Sequence, residues 1–154
     1  MPQLVKGGKH VFGWSVISEE GRIMVPPEAC QEYNYKFMDK IIIISGSQTS
    51  GGFSLIKVNQ IAKSFLSNLF NEFPDLKRND FPKNQIIKSG KRKICWVLID
   101  ENCSISLSND VLNQFDTRIG QKILAARGSG LGLSFIAKGP IYKEALIHEE
   151  LGIF

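Results

Sequence analysis

Three sets of residues in this chain have types and spacings that could do chemistry. The first is Gly128-Ser129-Gly130-Leu131-Gly132-Leu133-Ser134. Glycine-rich turns let backbone N–H groups close around a phosphate. An ATP site of that kind also needs an upstream Asp-x-Gly-x-Gly element, and no such string occurs. Gly139-Pro140 would in addition break the helix that should continue past the loop. The glycines therefore read as hairpin residues. The second set is basic. Lys6, Lys9 and His10 precede one aromatic strand-like stretch, and Lys88, Lys91, Arg92 and Lys93 precede another. Such arms suit neutralisation of phosphates on an extended anion such as duplex DNA. Bidentate reading of guanine needs arginine, which Arg22, Arg92 and Arg127 could supply. The third set is Cys30, Cys95 and Cys103. An odd count with no CxxC pair, beside isolated His10 and His148, gives no zinc spacing and reads as reduced, half-buried thiols. No nucleophile, base and orienting group fall into a recognisable arrangement. The acidic pairs Glu19-Glu20 and Asp100-Glu101 sit at turns, so the expectation is a protein that is not an enzyme and needs no cofactor or metal.

The elements that position these residues follow from an internal repeat. Shifted by 82 positions, Gln3–Ile23 lies on Gln85–Ile105, with Trp14 on Trp96, Ile17 on Ile99 and Glu19 on Glu101. The register continues to Gly46-Ser47 on Gly128-Ser129, and after a two-residue deletion Gly52–Ile56 lies on Gly132–Ile136. In the first copy, Val11–Ser18 alternates and is rich in aromatic and β-branched residues, which predicts a strand. Glu20-Gly21 is a turn, Arg22–Pro26 a second strand, and Pro27-Glu28 opens a short helix. Asp39–Gly46 and Gly51–Val58 form a buried hairpin. The second copy repeats the order, with Ser108 or Asn109 capping its helix.

Apolar residues from Val58 to Phe73 recur at helical spacing after copy one, and a counterpart helix starts near Pro140. Phe73–Asn84, with two prolines and many charges, reads as a linker. The organisation is thus 1–72, linker 73–84, and 85–154. One such β-β-α-β-β unit leaves strand edges open and a face uncovered, so the two must close over each other.

The chain has 154 residues, 43% of them apolar, and carries a net charge of +4, which allows an anionic partner without demanding one. Its longest aliphatic run is Ile41–Ile44, too short to cross a bilayer, and its start lacks a long apolar segment. A cytoplasmic protein with no membrane partner is expected. Trp14 and Trp96 alternate with apolar neighbours, which predicts core packing rather than ligand stacking.

Glu19-Glu20-Gly21-Arg22-Ile23-Met24-Val25-Pro26-Pro27-Glu28, followed by Asp39-Lys40-Ile41-Ile42-Ile43, resembles the AbrB/MazE/SpoVT swapped-hairpin family over roughly forty residues. Copy two keeps the plan, with Cys103-Ser104 in place of Gly21-Arg22 and Ser108-Asn109 in place of Pro26-Pro27. The resemblance implies a mainly β, α+β fold: two repeats forming an intramolecular swapped-hairpin barrel, each followed by a helix. It implies DNA-binding transcription regulation, with duplex DNA as partner and room for self-association beyond the intramolecular pair. The candidate DNA-binding residues are Lys6, Lys9, Arg22, Lys88, Lys91, Arg92 and Lys93. The alternative is a non-enzymatic ligand- or protein-binding module that has lost DNA contact.

Overall fold

A computed structural model describes residues 10–61, 84–89, 91–128 and 132–154. The chain is mainly β with a few short helices. In order these are β1 (Val11–Val16), β2 (Arg22–Met24), α1 (Pro27–Glu32), β3 (Lys40–Ser45), β4 (Phe53–Lys57), α2 (Val58–Ile61), β5 (Ile87–Ser89), β6 (Arg92–Leu98), β7 (Ser104–Ser106), α3 (Asn109–Gln114), β8 (Lys122–Arg127), β9 (Leu133–Ile136) and α4 (Pro140–Ile147). Pro27 starts α1, where its missing N–H has no partner to lose, and the Ser108 hydroxyl accepts from the Val111 N–H to cap α3.

Seven strands form one sheet in the order β1-β8-β9-β4-β3-β6-β5, and β2 pairs with β7 in a separate ribbon. The first strand of each half therefore lies against the third strand of the other half. The registers match as well. Trp14 lies opposite Leu124 and Val16 opposite Lys122; 82 residues away, Trp96 lies opposite Ile42 and Leu98 opposite Lys40. At the centre, Ile23 faces Ile105 in the ribbon and Ser54 faces Ser134 in the sheet. The two serine hydroxyls are 3.1 Å apart. Left-handed backbone recurs at the same offset: Gly21 and Cys103, Asn34 and Asp116, Met38 and Gly120 all have positive φ.

Side chains alternate across the sheet. One face carries Ile41, Ile43, Phe53, Leu55, Val97, Ile123 and Phe135 into the main core, which is closed by the ribbon, α1 and α3. The other face divides in two. Ile42, Ile44, Ile56, Ile61, Ile94 and Trp96 form one cluster, and Val11, Trp14, Leu124, Ala126, Ile136, Ala145 and Leu151 form the other. Burial on both faces explains the unbroken Ile41–Ile44 run, which carries no alternation. Each tryptophan is buried, as expected, and each lies under a lysine from the neighbouring strand. Lys122 Nζ is 4.4 Å from the Trp14 ring centre and Lys40 Nζ is 4.4 Å from that of Trp96.

The two sheet edges are finished differently. The stretch before the second half's first strand reads as a loop arm, yet Ile87–Ser89 is a strand, because Ile87 lies opposite Ile94 and packs on the Trp96 cluster. At the other edge, Trp14 N–H donates to the Gly152 carbonyl at 2.8 Å and Phe154 N–H to the Trp14 carbonyl at 2.7 Å. The Phe154 ring then lies over Gly13, where any Cβ would collide with it. Of the helix expected over Val58–Phe73, Val58–Ile61 is described; residues 62–73 and nearly all of the linker lie outside the described residues.

Candidate nucleic-acid interface

Lys6 and Lys9 lie outside the described residues. The second basic set falls on the β5–β6 pair at the edge of the sheet. Lys88 lies directly opposite Lys93, and Arg92 opposite Ser89. Lys88, Lys91 and Arg92 are exposed. Lys93 is half-buried; its Nζ donates to the Gln114 carbonyl at 3.1 Å and its backbone N–H to the Ser45 hydroxyl at 2.9 Å. Two lysines facing each other across a strand pair repel. An anion bound over them would relieve that repulsion, and charge on an edge strand also discourages edge-to-edge pairing.

Arg22 lies on the ribbon, away from this strand pair in sequence and sheet. Its Nε is 3.4 Å from the Asp100 carboxylate, and its backbone N–H donates to the Ser18 hydroxyl at 3.0 Å. Asp100 also accepts from the N–H groups of Asn102 and Ser104, which fixes the carboxylate at the turn. Arg127 is likewise engaged. Its Nε donates to Glu32 at 2.9 Å and a second guanidinium nitrogen donates to the other carboxylate oxygen. That hydrogen bond holds the Glu32 carboxyl below its ordinary range. His10, whose carbonyl accepts from Arg127 N–H at 2.8 Å, is held below the usual imidazole range by burial and then by the Arg127 charge. The partners Asp100 and Glu32 carry no motif in the sequence.

The glycine loops are hairpin ends, as read. The N–H of Gly46 donates to Gly52, that of Gly51 to Ser47 and that of Gly52 to Phe115, so these three amides are turned inward rather than toward a phosphate. A Cβ at Gly46 or Gly128 would fall on the carbonyl of Gly51 or Gly132, which is why glycine stands at both strand ends. Residues 129–131 of the second loop lie outside the described residues.

The cysteine expectation is corrected. Cys30 and Cys103 form a disulfide with Cα atoms 6.7 Å apart, and only Cys95 is a free, buried thiol. The two cysteines are 73 positions apart, and topology brings them together. The β2–β7 ribbon brings the turn carrying Cys103 beneath α1, and Val25 N–H donates to the Cys103 carbonyl at 3.0 Å.

No known family model matches the chain, and no curated protein matches it.

Proposed function

We propose that this chain is an AbrB-like swapped-hairpin DNA-binding regulator, in which two repeats of one polypeptide take the place of two subunits. The strand order carries the reading: each half's first strand is donated to the other half, in matching register, around the Ile23–Ile105 and Ser54–Ser134 centre. DNA contact is electrostatic and falls on Lys88, Lys91 and Arg92 of the β5–β6 pair, with Lys6, Lys9 and Lys93 adding charge. Arg22 contributes only by leaving Asp100. A cytoplasmic site of action fits this reading. Among the described residues no helix is long and apolar enough to cross a membrane.

A second reading is favoured by one observation. Arg22 and Arg127 are already paired within the molecule, and Phe37 and Met38 stand 64% and 57% exposed on the α1–β3 connection. That arrangement suits a protein-binding module. Titration of mixed-sequence duplex DNA at low and raised salt separates the two. The DNA reading expects micromolar or weaker affinity that falls steeply with salt, with a slope reduced by about one for each of Lys91 and Arg92 replaced by alanine. Absence of binding at low salt moves the assignment to the second reading.

A further inference from the structure

The Cys30–Cys103 bond joins the halves at one of two equivalent places. At the other, 82 positions away, the pair is Leu112 and Gly21. There Leu112 is fully buried. At the disulfide the surface is open instead. Both cysteines are half-buried and line a groove of about 460 Å³. Met24, Val25, Pro27 and Tyr35 give it an apolar wall, and Lys36, Gln31 and Asn102 bring polar groups to it. A disulfide serving only as a brace needs no such access, whereas one that exchanges with a small molecule does.

We propose that Cys30–Cys103 is an exchange site for a low-molecular-weight cysteinyl-peptide thiol of the glutathione class. The groove receives the peptide, and Lys36 meets its carboxylates. The thiolate of the incoming molecule attacks Cys103 Sγ. A new sulfur–sulfur bond forms there, the Cys30–Cys103 bond breaks, and its electron pair leaves on Cys30. Cys30 then takes a proton from solvent. Its Sγ lies 3.3 Å from the Tyr35 carbonyl oxygen, which accepts from the thiol once it is protonated and so favours Cys30 as the sulfur released as a thiol. A second thiol attacks the peptide sulfur of the mixed disulfide and releases Cys103 as a thiol. Two small thiols become one small disulfide, and the protein disulfide becomes two thiols. Opening the bond frees α1 from the turn beneath it. Tyr35, just beyond α1, donates its hydroxyl to the Leu55 carbonyl at 2.7 Å and accepts from Leu133 N–H at 3.1 Å, so α1 is linked to the strands that join the halves. This site is independent of whether the protein binds DNA.

The test is to incubate the native, air-oxidised protein with millimolar glutathione, then alkylate it and map the peptides by mass spectrometry. Alkylation of Cys30 and Cys103 should rise together by about tenfold or more, with a transient glutathione adduct on Cys103. Cys95 should stay unlabelled until the protein is denatured, which shows that the labelling is not unfolding. In Cys30→Ser, oxidised glutathione should modify Cys103 directly. The proposal is overturned if the bond survives millimolar glutathione until denaturant is added, if both cysteines alkylate before any reductant is present, or if the adduct forms on Cys30.

Discussion

Helix α1 presents Glu28 and Glu32 beside His10 and Arg127; the equivalent positions around α3 are Asp110, Gln114, Arg92 and Ser45. The backbone follows one plan in both places. Turns, registers and left-handed residues correspond, and the N–H of Val25 reaches Cys103 just as the N–H of Leu107 reaches Gly21. The chemistry is not the same. Around α1 an ion pair saturates the arginine and a disulfide opens on a groove. Around α3 the helix is sealed by Leu112, while Arg92 and Lys93 add positive charge. Paired strands constrain backbone and core on both sides alike, but leave exposed side chains free to diverge. Any DNA contact is therefore expected to be lopsided, with the second half carrying more of it.

The comparison is broken most severely at the sealed side. Leu112 is fully buried, so Leu112→Ala should cost about 2–5 kcal/mol in urea unfolding. The equivalent change, Cys30→Ala measured in reducing buffer, should cost less than about 1.5 kcal/mol, because that side is half-open. Equal costs would mean that the two sides are packed alike. Next in size is the turn beneath each helix. A Cβ on Gly21 would collide with the Leu107 carbonyl, with φ at +76°, so Gly21→Ala should destabilise by about 2 kcal/mol or more. Cys103 already carries a Cβ at φ +53°, so Cys103→Gly in reducing buffer should shift the midpoint far less.

These differences also mark what could be read from the sequence. The elements were legible because apolar alternation, the Pro27 start and the Ser108 cap are local signals. The correspondence of Trp14 with Trp96 and of Lys40 with Lys122 was legible from the offset, and it anticipates the two lysine–tryptophan contacts. Strand β5 was missed because Lys88 and Lys91 flank Gly90, a loop-like composition, while its reason for pairing is a distant contact of Ile87 with the Trp96 cluster. The disulfide and the Arg22–Asp100 and Arg127–Glu32 pairs were not legible. Each joins residues dozens of positions apart, and single charged or sulfur side chains carry no periodicity. Of the candidate site, only the basic character of residues 88–93 could be seen beforehand.

A smaller effect tests the junction itself. Tyr35 bridges Leu55 and Leu133, whereas its equivalent, Thr117, bonds the Leu112 carbonyl within its own half. Tyr35→Phe should therefore cost about 1–3 kcal/mol, because the buried Leu133 N–H loses its side-chain acceptor. Burial pushes the Tyr35 phenol well above the ordinary tyrosine range, so the neutral form belongs to the fold. Once unfolded, the phenol ionises near pH 10, so its stabilisation is complete below about pH 10 and declines above it. Urea unfolding at rising pH should show that decline in the parent protein and less of it in Tyr35→Phe.

The mildest substitution bears most directly on function. Glu32→Gln gives α1 the residue that α3 has at Gln114 and releases Arg127 from its ion pair. The pair is solvent-exposed and screened, so the folded state should hardly notice the change near neutral pH. Glu32 contributes only while ionised. Its lowered pKa means that the contribution is present above the ordinary carboxylate range and is lost as pH falls through the depressed value, so any difference from Gln should vanish in strong acid. DNA affinity is the sensitive readout. If the Glu32 carboxylate silences Arg127, Glu32→Gln should strengthen low-salt binding severalfold and steepen the salt slope by about one, the signature of one added phosphate contact. An unchanged slope would mean that Arg127 points away from the bound duplex. The lopsidedness would then originate in the strand framework rather than in this single ion pair.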